Sequence, residues 1–158
     1  MLKNPNIKGC YIFDLDGTIA DCEHRRVRAT TTDNKMNWKI FLNPELVIQD
    51  LPNRKVIDYF NYLTHHAKKE VFILSGREES LKDVTLQWFA KNNIWGYQDL
   101  IMRKPGDYRP DIEVKMEMLD RDILPQYKPE LFIDDRESVV NNWRKMGYEC
   151  WQVAEGKF

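Results

Sequence analysis

Hydrophobic residues in this chain fall into short unbroken runs separated by stretches with helical spacing. Cys10 to Phe13, Val71 to Leu74 and Leu131 to Ile133 are apolar runs of strand length, the pattern of strands buried on both faces. A first strand is predicted at about 9–14, after an irregular polar lead-in over 1–8. Pro52-Asn53 opens a helix in which Val56, Ile57, Phe60 and Leu63 recur at helical spacing. His65, His66, Lys68 and Lys69 close it, where cations favour the carboxyl end. The two histidines read as a polar helix end, since adjacent residues do not share a helix face. A second amphipathic helix covers 81–91, and Trp95, Tyr97, Leu100, Ile101 and Met102 predict another strand. Gly106 marks a loop, and Pro110 suits the first position of a helix running to about Ile123. Pro125 and Pro129 precede the 131–133 strand, a helix follows over 139–145 with Gly147 as its stop, and Tyr148 to Val153 form the last strand. Strands and helices alternate throughout. That predicts an α/β fold of three layers, Rossmann-like, with a central parallel sheet and helices on both faces.

One segment breaks the pattern. Residues 22–44 have no clean period and carry His24, Arg25, Arg26, Arg28, a threonine run, Trp38 and Phe41. The expectation is a small flap or minimal cap inserted into a domain spanning 1–158. Longer connections of this kind usually serve as lids or binding loops. The arginines are either phosphate contacts or members of a solvated basic loop. Trp38 or Phe41 either stacks on a base or packs.

Composition narrows the class. A chain of 158 residues, 42% hydrophobic and 31% charged, supports one soluble domain with a real core. A net charge of -1 provides no global field for long nucleic acid. Three cysteines without C-x-x-C spacing argue against disulfide or zinc frameworks and fit a reducing cytoplasm, with Cys10 and Cys150 expected in the core. No apolar run is long enough to span a membrane, and the chain start lacks a signal region.

The chemistry collects at the strand ends. The first strand delivers Asp14 to its carboxyl end, Asp16 follows two residues on, and Gly17 permits a sharp turn. Ser75-Gly76-Arg77 ends the second run, and Asp134-Asp135 ends the 131–133 strand. In a parallel sheet such ends lie on one edge, where open α/β folds bind ligands. Asp111 and Lys115 lie one turn apart on the helix after Pro110. Each piece alone has a bland reading: an acidic loop, a turn, a surface lysine. Together they fit phosphoryl transfer through an aspartyl phosphate, with clustered carboxylates around a hard cation such as Mg²⁺. A serine hydroxyl, backbone N–H groups, a lysine and arginines would hold the phosphoryl oxygens.

Phe13-Asp14-Leu15-Asp16-Gly17-Thr18, Leu74-Ser75-Gly76-Arg77, Lys115 and Ile133-Asp134-Asp135 resemble the four motifs of the haloacid dehalogenase (HAD) superfamily. Gly106 to Asp111 with Lys115, Phe132 to Arg136, and Cys150 to Phe158 further resemble the phosphatase domain of bacteriophage-type polynucleotide kinase-phosphatases. That resemblance implies a Mg²⁺-dependent enzyme that removes 3′-phosphates from polynucleotide ends or nucleotides. It makes Asp14 the nucleophile and Asp16 the general acid and then base. Ser75, Gly76, Lys115 and Thr18 would hold phosphate, while Arg25, Arg77, Asp111 and Arg109 would contact substrate. Asp14, Asp134, Asp135 and Asp16, the last through its backbone carbonyl, would hold the metal. No G-x-x-x-x-G-K-[ST] loop is present, so the sequence reads as the phosphatase half alone, with a separate kinase or ligase as a partner. The competing readings are a 5′-nucleotide or general small-molecule phosphatase and a non-catalytic phosphate-binding module that docks to a kinase. The oligomeric state is not legible.

Overall fold

The computed structural model describes residues 7–156. Residues 1–6 of the expected lead-in, and Lys157 and Phe158 at the end of the C-terminal motif, lie outside the described residues. Five strands form a parallel sheet: β1 (Lys8–Phe13), β4 (Glu70–Glu78), β5 (Asp99–Arg103), β6 (Tyr127–Arg136) and β7 (Cys150–Gly156), in the order β5-β4-β1-β6-β7. The first strand in sequence is therefore the middle strand in space, which puts Asp14 at the centre of one edge.

Side-chain alternation explains the layers. Phe13, Ile73, Leu100, Met102 and Ile133 point to one face, where they pack with Val56, Ile57 and Phe60 of α4 (Arg54–Asn61) and Trp88 and Phe89 of α5 (Lys82–Lys91). Ile12, Phe72, Leu74, Ile101 and Phe132 point to the other. There they meet Val114 and Met118 of α6 (Asp111–Met118) and Val139, Val140 and Trp143 of α7 (Glu137–Lys145). The apolar runs are unbroken because both faces are covered. α4 and α6 each continue into a wider π turn, over Tyr62–His66 and Leu119–Ile123. Gly147 ends α7 at φ +86°, in the left-handed region that favours glycine.

The strand expected around Trp95 and Tyr97 begins later, at Asp99. Gly96 at φ +81° breaks the extended run, and Trp95 turns out to lie against the His65 ring at 3.6 Å between centroids. β6 starts earlier than its apolar run and includes Pro129. A register shift beside Pro129, where the Cys10–Pro129 pair is followed by Tyr11–Leu131, accommodates the missing N–H donor.

The aperiodic segment folds as α1 (Glu23–Ala29), α2 (Trp38–Phe41) and α3 (Pro44–Val47). A two-residue antiparallel ladder between β2 (Ala20–Asp21) and β3 (Leu51–Pro52) closes its base. Its own small core is Cys22, Ala29 and Phe41. Asn37 and Asn43 cap α2 and α3 with their side-chain oxygens. No helix among the described residues is long and apolar enough to cross a membrane.

Candidate active site

The carboxyl edge of the sheet assembles the predicted residues from four elements. Asp14 follows β1 directly, and its N–H donates to the Ile133 carbonyl at 2.9 Å, which ties it to β6. Gly17 turns the chain back at φ +91°. A Cβ there would collide with the Asp135 carboxylate, so that carboxylate can lie against the turn only because the residue is glycine. Gly76 is similar: a side chain would strike the Asp111 carboxylate.

Lys115 is the hub. Its ammonium, 2% exposed as a residue, donates to Asp14 Oδ1 at 2.7 Å and Asp134 Oδ2 at 2.9 Å. Asp111 Oδ2 lies 3.5 Å away, one helical turn back. Burial alone would push Lys115 down, but the carboxylates of Asp134, Asp14 and Asp111 overcome it and hold the lysine well above its ordinary range. Asp111 is balanced elsewhere, accepting from Arg103 at 2.9 Å with Arg136 at 3.6 Å.

Asp14, Asp134 and Asp135 therefore face one ammonium with three carboxylates. All three are buried, and their oxygens lie within 4.8 Å of one another. Burial first, with the neighbouring acids adding to it against Lys115, raises Asp14 well above the usual carboxylate range; burial and Asp134 push Asp135 up to about 6. A set of hard oxygen donors with excess negative charge fits a divalent cation of the Mg²⁺ kind.

Asp16 faces the other way. Arg25 and Arg77 both donate to its Oδ1 with very short contacts, and Arg77 Nε reaches Oδ2 at 3.2 Å. Burial opposes ionisation of Asp16, but the two guanidinium groups override it and hold the carboxyl below its usual range. Its side chain does not join the metal-type cluster, so only the backbone carbonyl expected from the sequence remains as a donor there.

The remaining candidates have partners of their own. Arg25 is wholly buried rather than facing substrate: it donates to Asp16, to Asp50 at 2.8 and 3.0 Å and to the Phe41 carbonyl at 2.9 Å. Arg77 borders the cavity, yet its guanidinium is engaged by Asp16, Asp50 and Thr85. Thr18 is fully buried, does not line the cavity, and donates to Asp135 Oδ1 at 3.3 Å. Ser75 is also buried, and its Oγ accepts from the Arg77 N–H at 3.1 Å. Arg109 stays at the mouth and forks onto Asp107 and Glu117.

Asp50 is the residue the sequence did not reveal. Its side chain is fully buried between Arg25 and Arg77, its Oδ1 also meets His24 Nε2 at 3.0 Å, and Trp88 Nε1 donates to its carbonyl at 2.8 Å. Nothing local marks it, because it precedes a two-residue strand outside every motif. Arg103 has no sequence signal either: it donates to the carbonyls of Gly76, Asp107 and Arg109 and to Asp111. A cavity of about 380 Å³ is bordered by Asp14, Asp16, Lys115 and Asp134, by Arg77 and Arg103, and by Trp38 and Tyr108.

The model of the polynucleotide kinase PNKP phosphatase domain family matches residues 8–158. Among solved structures, a chain of the Pnkp1/Rnl/Hen1 complex is 30% identical with a TM-score of 0.79, over 99% of this chain and 48% of that one. A chain of the Pnkp1/Rnl/Hen1 RNA repair complex is 30% identical at TM-score 0.81, over 99% and 45%. This chain thus spans about half the length of both relatives. The class C acid phosphatase from Bacillus anthracis shares the fold at 15% identity and TM-score 0.64, over 98% of this chain and 70% of that one.

Proposed function

This chain belongs to the family of polynucleotide kinase PNKP phosphatase domains, a HAD-type phosphatase group, and from that premise we propose that it removes 3′-phosphates from polynucleotide ends or nucleotides. The observation that carries the chemistry is Lys115 Nζ joining Asp14 and Asp134 at 2.7 and 2.9 Å, two residues from an acid held by two arginines.

In this reading an Asp14 carboxylate oxygen attacks phosphorus. A new O–P bond forms as the bond to the sugar 3′-oxygen breaks, and Asp16 gives that oxygen its proton. The aspartyl phosphate is then opened by water, with the now ionised Asp16 taking the water's proton. Asp14 is restored as inorganic phosphate leaves, and Asp16, protonated by that step, returns its proton to solvent as the phosphate's charge departs. The arginines that hold Asp16 ionised suit it for the second step, and the arriving phosphate's negative charge favours its protonation for the first. Lys115 offsets the charge on Asp14 so that an anion can approach an anion. Asp14, Asp134, Asp135 and the Asp16 carbonyl would hold Mg²⁺, which when bound supplies charge neutralisation for the phosphoryl oxygens. Ser75 and Gly76, within the carboxyl-terminal half of β4, would offer hydroxyl and backbone donors to the same oxygens, and Arg109 a cation at the mouth.

Two solved relatives come from complexes named with Rnl and Hen1, and one of these is named as an RNA repair complex. That supports a role beside a separate kinase or ligase, with a nucleic acid end as substrate. The test is phosphate release with Mg²⁺ from a 3′-phosphorylated oligonucleotide, a 3′-mononucleotide and a 5′-mononucleotide. Preference for the 3′-phosphates is expected; preference for the 5′-nucleotide overturns the substrate and keeps the chemistry. Asp14→Asn is expected to stop turnover while the melting temperature holds, and retained turnover overturns the nucleophile.

A further inference from the structure

Two aromatic rings stand at the cavity mouth and take no part in the steps above. Trp38 is 57% exposed and Tyr108 91% exposed, and both border the cavity that contains Asp14 and Lys115. Rings of this size offer about 150–250 Å² of apolar surface each, so leaving two uncovered at one opening forgoes burial that folding would normally take.

Both rings sit on fixed supports. Trp38 begins α2 and packs edge-on against Phe41, with centroids 5.8 Å apart and planes at 88°. Phe41 in turn carries the Arg25 guanidinium over its ring at 4.2 Å. Trp38 is thereby linked through packing to the group that holds Asp16. Tyr108 lies in the loop between β5 and α6. Arg103 pins that loop, donating to the Asp107 carbonyl at 3.0 Å, the Arg109 carbonyl at 2.8 Å and Asp111 at 2.9 Å. Asp107 closes it further by accepting from the Arg109 N–H at 3.1 Å. A guanidinium that bonds the carbonyls on both sides of an exposed tyrosine displays that ring rather than letting it collapse onto the surface.

We propose that Trp38 and Tyr108 form a stacking platform for the unpaired bases beside the 3′-phosphate, so that the substrate is a single-stranded end. This rests on the 3′-phosphatase reading and narrows its substrate. Aromatic stacking accepts every base, because each has a π face, so the site tolerates sequence. A base in a duplex is already stacked and must be freed first. A cavity of about 380 Å³ is near the small end of the ~300–1,000 Å³ range of ligand sites, which suits a terminal nucleotide rather than a duplex.

The experiment compares kcat/KM with Mg²⁺ on three 3′-phosphorylated substrates: a single-stranded oligonucleotide, the same strand ending in an abasic sugar, and a blunt duplex. Wild type is expected to favour the based single strand over the abasic end by about tenfold or more, from the usual strength of base–aromatic stacking. Tyr108→Ala and Trp38→Ala each bring that ratio toward one, chiefly through KM, whereas Tyr108→Phe and Trp38→Phe keep it. Tyr108→Ala removes a ring that is almost wholly in solvent, so it tests the platform even if Trp38→Ala disturbs α2. A wild-type ratio near one, or alanine variants that retain the preference, overturns the platform and leaves the 3′-phosphatase reading standing. Release from none of the three, alongside turnover of a 5′-nucleotide, overturns both.

Discussion

Replacing Asp50 by alanine removes the charge that separates two buried guanidinium groups. Asp50 accepts from Arg25 at 2.8 and 3.0 Å and from Arg77 at 3.1 Å, and His24 adds a contact at 3.0 Å. In the variant, Arg25 and Arg77 share one carboxylate, Asp16, whose side chain is 17% exposed. Breaking a buried ion pair by deleting one partner costs about 3–5 kcal/mol, because the other charge stays buried without compensation. Whole-protein stability is typically ~5–15 kcal/mol, so the loss is about a third to a half of a mid-range value. With a urea slope of ~2 kcal/mol per M, the denaturation midpoint should fall by roughly 2 M. Activity should fall too, since the two arginines orient Asp16. The double variant Asp50→Leu/Arg77→Leu should be destabilised by clearly less than the sum of the two single variants, the sign of direct coupling. A midpoint for Asp50→Ala within about 0.3 M of wild type, or strict additivity in the cycle, refutes the reasoning, because the buried charges would then be solvated by other means.

Three further outcomes are expected. Chelation should stop phosphate release and Mg²⁺ should restore it; Mg²⁺ should also raise the melting temperature, and Asp135→Asn should lose most of that rise if the three carboxylates are the ligands. Gly17→Ala should impair both folding and metal binding, since the left-handed backbone at φ +91° resists a side chain and the new Cβ meets Asp135; unchanged thermal stability would contradict the geometry. Asp111 is held below its usual range because Lys115, Arg136 and Arg103 overcome the burial that opposes its ionisation. A lowered folded value means the unfolded chain binds more protons, so this stabilisation is present above ~4 and is lost as pH falls. Thermal melts between about pH 5 and pH 3 should therefore fall less steeply for Asp111→Asn than for wild type.

Much of the fold is legible because burial on both faces leaves a local signature. Val71 to Leu74 and Leu131 to Ile133 are unbroken apolar runs, and each sits in a parallel strand covered by helices. Trp95 misleads because a large aromatic suggests a strand by composition, whereas Gly96 at φ +81° decides the backbone. The segment over 22–44 gives no period because its helices are short and share only a small core.

Asp14, Asp16, Ser75, Asp134 and Asp135 are legible in the sequence as one cluster, because each closes or follows an apolar run that marks a strand of a parallel sheet, and Lys115 sits one turn into the helix after Pro110. What each side chain meets is set by the packed layers. Lys115 reaches Asp14 across 101 residues of chain, Arg77 reaches Asp16 across 61, and Thr18 turns to Asp135 across 117. Asp50 takes its place between Arg25 and Arg77, and Arg103 takes its place beneath Tyr108, without any motif to announce them. A hydrophobic period reports how deeply a residue is buried, but a buried charge chooses its partner by distance and geometry among groups far away in the chain, and that choice exists only once the layers have packed.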